Sequence, residues 1–164
     1  MLETIGAVRR NHALEHATVA VLLAQHGPGL RLAGRAAPGG FYIVGNVTDA
    51  QVSSAADEAL ARLQRGESHL AVSPLCGTNI AVAGGMAGLT SLMVLGSSAR
   101  SRHWADVMGG AIVAVLVAQP VGRYVQRFVT TSADLRGVRI TGTHERGQER
   151  DVWAGRDASL NVDL

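Results

Sequence analysis

From Leu70 to Ala99 the chain carries no charged residue, and residues 80 to 97 are almost wholly apolar. After a loop bearing Arg100, Arg102 and His103, a second uncharged run extends from Val107 to Gly122. A helix that crosses a bilayer needs roughly 20 apolar residues, with ~17 as a lower limit. The first run meets that length, and the second is marginal. Trp104 at one end and Arg123, Tyr124 and Arg127 at the other are the residue types that anchor a helix at the interface. The pattern predicts a two-helix transmembrane hairpin at about 78–98 and 104–122. Its alternative is a soluble helical hairpin buried in a homo-oligomer. Gly84 and Gly88 form a G-x-x-x-G pair, and Gly109-Gly110 offer a second small surface for close helix approach.

The half before these runs is patterned differently. Ile5, Val8, Leu14, Val19, Leu22 and Leu23 recur at helical spacing and predict a helix over residues 4–25, stopped by Gly27-Pro28-Gly29. Residues 30–47 read as two short strands joined by a Pro-Gly-Gly turn, the second being Phe41-Tyr42-Ile43-Val44. Thr48 or Asp49 can cap a helix that runs to about Gln64 and ends at Arg65-Gly66. Residues 69–79 read as a short extended or loop segment. Beyond Arg139 the chain is polar, which predicts a strand near Val138 to Ile140 followed by a fraying tail. The expected fold class is therefore α+β: a helix–β-hairpin–helix domain over 1–77, the membrane hairpin over 78–122, and an amphipathic segment, short strand and polar tail over 123–164.

Composition narrows the function classes. Aromatic residues are only 4% of the 164, so a core must be built from Ala, Val, Leu and Gly. A net charge of +2, with no basic stripe interleaved with aromatics, argues against nucleic acid as a partner. Cys76 is the single cysteine, so no internal disulfide forms. The N-terminus lacks the charged, apolar, small-residue order of a cleaved signal peptide. The short loop between the apolar runs holds two arginines, whereas the flanks hold Arg62, Arg65, Arg123, Arg127, Arg136 and Arg139. The positive-inside rule places both termini in the cytoplasm, in a multi-pass protein of the cell membrane.

The chemistry lies in "NHALEHATVAVLL", residues 11–23, which contains His12-x-x-Glu15-His16. This is the reversed form of the H-E-x-x-H zinc helix. Residues i and i+4 share a helix face and i+3 lies beside them. His12 and His16 can thus bind one divalent metal, probable zinc chemistry, while Glu15 acts as general base. Zinc catalysis takes three protein ligands plus water. Cys76, in Leu75-Cys76-Gly77-Thr78-Asn79, is the best third ligand, and His69 an additional one. Asp57 and Glu58 are explained equally by a solvated helix face, and His26, His103 and His144 read as surface residues. The alternatives stay open: histidines that are exposed or hydrogen-bonded, and a cysteine that is a small buried hydrophobe.

Together, "NHALEHAT", "CGTN", two apolar helices and "PVGRYVQRFVTTSADLRGVRI" resemble an uncharacterised bacterial membrane family, a domain of unknown function. That family is similar to the YqhQ-like proteins described as predicted metal-dependent enzymes. Those proteins carry H-x-A-E-H-K, H-P-x-C-G-T and "LQ…TT…PD" motifs. Here the first corresponds to His12, Glu15 and His16, and the second to Ser73 through Thr78 with Cys76 inside it. The third corresponds to Val125-Gln126 through Thr130-Thr131-Ser132-Ala133-Asp134. The resemblance covers about residues 8–140 and implies a metal and a membrane. It departs at Ser73, where the wider family has histidine. The expected function is membrane-bound, metal-dependent hydrolysis, peptidase-like, on a peptide or membrane-protein substrate. The alternative is a non-catalytic membrane protein with a structural metal site or a scaffold role.

Overall fold

A computed structural model describes residues 1–96, 104–146 and 149–156. The arginine-bearing loop with His103, and the last eight residues of the tail, lie outside the described residues. Among these the chain is a mixture of helices and one small antiparallel sheet, dividing into two compact units. One comprises Met1–Ser73 and Arg127–Leu164, the other Pro74–Gln126.

The first unit begins with α1, Leu2–His26, a helix two residues longer at its start than the apolar spacing predicts. It stops at Gly27, whose φ of 91° suits glycine and whose N–H closes on the Leu23 carbonyl. Strands β1 (Leu32–Ala37) and β2 (Gly40–Gly45) follow as the expected hairpin, with Leu32 opposite Gly45 and Ala37 opposite Gly40. Helix α2, Asp49–Gln64, opens on a capping box. Gln51 N–H donates to Thr48 Oγ1, and Thr48 N–H donates to Gln51 Oε1, so two N–H groups without helical partners are satisfied reciprocally.

A 3₁₀ turn at Ser68–Ala71 then leads out of the unit. The turn is held by Arg62, which donates to Glu67 from Nε at 2.8 Å and pairs with it through Nη2 at 2.7 Å. This hydrogen bond from Arg62 is the main reason the Glu67 carboxyl lies below its ordinary value of 4.5.

The chain re-enters the unit through a π-helical turn, Gln126–Thr130, and forms two strands. Here the expectation of a fraying tail is corrected. Strand β3 spans Val138–Arg146 and β4 spans Glu149–Arg156, in sheet order β1-β2-β4-β3. The polar composition misled because the outer face of this sheet is not covered, so only alternate residues need be apolar. Val138, Val152 and Ala154 point inward, beside Phe41 and Ile43 of β2. Against them pack Ala13, Leu14, Ala17, Val21 and Leu22 of α1 and Val52, Ala55, Ala56, Ala59 and Leu63 of α2. Small residues dominate, as the shortage of aromatics requires.

The second unit consists of α3, Gly77–Gly96, and α4, Trp104–Val125, with the loop Pro74–Cys76 before them. Both helices are long and apolar enough to cross a membrane: α3 has 20 residues, and α4 with the π-turn has 27. At 1.5 Å per residue, 20 residues span about 30 Å, the thickness of a hydrocarbon core. Leu89, Leu92, Met93, Met108, Ile112 and Leu116 are all more than half exposed. Helices in the core of a soluble protein would bury such residues.

Gly110 of α4 lies against Thr90 and Val94 of α3, and Gly122 lies against Asn79. Gly84, Gly88 and Gly109 have open space where a side chain would stand. The G-x-x-x-G pair is therefore not the surface on which α3 meets α4.

Because Glu67 is held below its ordinary value, its pairing stabilises the fold above pH about 4.5. That contribution is lost as pH falls through the lower folded value. Glu67→Gln should remove this part of the acid sensitivity. Thermal unfolding of wild type and variant, compared between pH 6 and pH 3.5, checks it: the gap between their midpoints should narrow at the acid end.

Candidate metal centre

Helix α1 sets His12, Glu15 and His16 on one face, where the helical spacing requires them to be. The surrounding backbone fixes their orientation. His16 is buried, and its Nδ1 lies 2.9 Å from the Ala71 carbonyl at the end of the 3₁₀ turn. His12 is half-buried, and its Nδ1 lies 3.1 Å from the Thr130 carbonyl in the π-turn. A carbonyl can only accept, so in both rings Nδ1 carries a proton and donates it to the backbone. Metal-ligating histidines usually show this arrangement: one ring N–H given to a backbone carbonyl, the other nitrogen free to bind. The two rings stand 4.4 Å apart between centroids, tilted by 58°.

The Glu15 carboxylate is buried and faces the Nε2 of each ring. Its Oε2 is 3.9 Å from His12 Nε2 and 3.8 Å from His16 Nε2. These distances are too long for hydrogen bonds. The other carboxylate oxygen lies against the backbone of Gly34 on β1, so closely that a Cβ there would overlap Oε1. Glycine at 34 is thus what allows β1 to approach this carboxylate.

Two further α1 side chains hold the helix in place. Asn11 Nδ2 donates to the carbonyls of Ala37 at 2.8 Å and Pro38 at 3.1 Å. Arg9 Nη2 donates to the carbonyls of Phe128 at 3.0 Å and Thr131 at 3.1 Å.

Cys76 immediately precedes α3. The Thr78 backbone N–H donates to its Sγ at 3.4 Å, and Sγ lies 3.3 Å from Thr78 Oγ1. The thiolate of a cysteine is the form that binds metal. Asn79 fixes the loop that carries it: Nδ2 donates to the Pro74 carbonyl at 3.0 Å, and Oδ1 accepts from Gln126 Nε2 at 2.8 Å.

His12 and His16, in the first unit, and Cys76, in the second, make up a His/His/Cys donor set that could hold a metal ion. The donor set fits, since imidazole and thiolate are ligands that zinc favours. His69 stands outside this group, exposed on the 3₁₀ turn. Asp57 and Glu58 sit on the exposed face of α2, and His26 and His144 are exposed, as expected of surface residues. Ser73 is half-buried in the segment before Cys76.

Sequence reasoning overlooked Gly34, Asn11, Arg9 and the carbonyls of Ala71 and Thr130. Backbone acceptors leave no signal in side-chain patterns. Asn79, Gln126, Thr130 and Thr131 were present in the motifs that carry the resemblance. The structure gives them work: one pair fastens the Cys76 loop, and the others supply carbonyls to His12 and Arg9.

Residues 7–143 match the model of the family DUF6391, a domain of unknown function, and the chain belongs to that family. It is also 35% identical over 150 residues to an uncharacterized protein of the cyanobacterium Picosynechococcus sp., a match covering 78% of this chain and 67% of that one. No solved structure matches it. These findings bear out the reading of a domain of unknown function with a bacterial relative.

The contact between Gly34 and Glu15 is testable without an assay. Gly34→Ala should cost about 1–3 kcal/mol by overpacking against the carboxylate. In a Glu15→Ala background the same change should cost nearly nothing. A double-mutant cycle on thermal unfolding that shows additive effects would contradict the close approach.

Proposed function

We propose that this chain is a membrane-bound, metal-dependent hydrolase, with His12, His16 and Cys76 as ligands of a divalent ion, zinc by donor type, and Glu15 as general base. One observation carries the reading. Both histidines give Nδ1–H to backbone carbonyls, which turns the Nε2 of each ring toward one buried carboxylate. Side chains that served packing alone would not need that shared orientation. Three protein ligands leave a position for water, which is the mark of a catalytic rather than a structural site.

A bound zinc ion would supply Lewis acidity, making a water acidic enough to lose a proton near neutral pH. The chain's own residues supply the remainder. Glu15 takes the proton from water as its oxygen attacks the substrate carbonyl carbon, then returns it to the leaving nitrogen as the C–N bond breaks. Gly34 lets the carboxylate sit where it can do so, and the Ala71 and Thr130 carbonyls keep both imidazoles in the ligating tautomer. A peptide bond, in a peptide or membrane protein, is the substrate class, because reversed zinc helices are best known in peptidases.

The setting is a membrane hairpin made of α3 and α4, with both termini cytoplasmic. Its support is the length of the two helices and the exposure of their large apolar residues. After cell lysis, the full chain should remain in the membrane pellet through an alkaline carbonate wash. Release into the supernatant would leave the soluble oligomer as the better reading.

Metal analysis of the purified wild type beside His12→Ala, His16→Ala and Cys76→Ala tests the site. About one equivalent in the wild type is expected, with at least a tenfold loss of affinity in each variant. Full metal in all three would overturn the ligand set. Glu15→Gln should keep its metal and lose peptide hydrolysis by about two orders of magnitude or more, the scale of a general base. A fourth protein ligand in the metal's absorption spectrum would favour the structural alternative.

A further inference from the structure

Beside the histidines is a cavity of about 300 Å³ within the first unit, which the hydrolase reading does not use. Ser68, His69 and Ala71 of the 3₁₀ turn form one wall, and Arg127, Phe128 and Thr131 form the other. Its size is at the lower end of small-molecule sites. Its chemistry is one-sided: it offers a guanidinium, an imidazole and hydroxyls, and no carboxylate lies among the lining residues. The Arg127 guanidinium rests over the Phe128 ring, 5.5 Å from its centroid, so it has a resting place on the cavity wall.

We infer that this cavity binds a phosphate group, with Arg127 as its principal cation and His69 and Ser68 as further donors. A tetrahedral anion with several oxygens can use donors from both walls at once, whereas a carboxylate offers only two oxygens. Arginine's planar fork suits phosphate better than a point charge would. Location supports the choice. Arg127 lies near the end of the 27-residue helical stretch that is long and apolar enough to cross a membrane, and Tyr124 and Phe128 beside it are exposed aromatics. Residues of these types mark the depth at which lipid phosphates lie.

The cavity also adjoins the candidate centre. Its Ala71 is the residue whose carbonyl accepts from His16, and Thr131 follows Thr130, which accepts from His12. A phosphate-bearing molecule seated here would therefore lie beside both imidazoles. The assignment does not need the metal, because the donors are the cavity's own.

The test uses the full chain in a non-ionic detergent at constant ionic strength. Calorimetric titrations are run with inorganic phosphate, with dihexanoyl phosphatidate below its micellar concentration, and with dihexanoylglycerol as the phosphate-free control. Binding of phosphatidate or phosphate, with none of the control, is expected. Binding of phosphatidate alone makes a lipid headgroup the source, and equal binding of both makes it any phosphate.

Arg127→Gln should weaken binding tenfold or more, and His69→Gln severalfold, while Arg123→Gln, outside the cavity lining, should leave it unchanged. Equal losses in Arg123→Gln and Arg127→Gln would overturn the assignment, as would binding of the control or of none of the three. Should Arg127→Gln fail to fold, His69→Gln on the separate turn decides alone. The titrations are repeated after chelator treatment. Binding that vanishes then belongs to the metal and overturns the cavity, whereas binding that persists stands even if the metal analysis fails.

Discussion

Burying polar groups is costly unless each finds a partner, and in this fold that constraint falls on one helix. α1 carries Asn11, Glu15, His16 and Thr18 into the interior among Ala13, Leu14 and Ala17. Thr18 satisfies itself on the Leu14 carbonyl one turn back. The others reach outward: Asn11 to the turn between β1 and β2, His16 to the 3₁₀ turn, and half-buried His12 to the π-turn. Three irregular segments, distant in sequence, are thereby pinned to one helix by their carbonyls. Packing alone would fix these segments loosely, since the neighbouring side chains are mostly alanine and valine. Hydrogen bonds to buried imidazoles and an amide fix them in direction as well as in distance.

How much of this could be read from the sequence depended on the kind of signal. α1, the β1–β2 hairpin, α2 and the two long apolar helices follow from periodicity, caps and length. Thr48 even forms the cap that its position suggests. The C-terminal strands escaped because one face of their sheet is open to water, which dilutes the apolar pattern below notice. In the candidate site, the spacing of His12, Glu15 and His16 names the side chains. It does not say which ring nitrogen gives its proton to the backbone, because that depends on carbonyls from residues 71 and 130. Gly34 was invisible for a related reason: its role is to be without a side chain at a place where β1 meets a carboxylate.

The second unit shows the same economy in apolar surroundings. Between α3 and α4 the packing relies on small residues such as Gly110, Ala114, Ala118 and Gly122. One buried amide pair, Asn79 and Gln126, joins the start of α3 to the end of α4. Polar pairs between apolar helices fix which residues meet, where close packing of small side chains alone would permit sliding. Gln126 opens the π-turn, whose wider coil turns the Phe128 and Thr130 carbonyls toward Arg9 and His12.

The strand order has a consequence for how the molecule is made. β4, the last of the described strands, lies between β2 and β3, so the centre of the sheet is completed by residues synthesised after both long apolar helices. Until Glu149–Arg156 has left the ribosome, β2 presents an open edge, and the core that β4 shares with Phe41 and Ile43 stays unfilled. More than a hundred residues separate the paired strands, and both long apolar helices are among them. The first unit is therefore a domain begun before those helices and closed only after them, and its assembly waits on theirs.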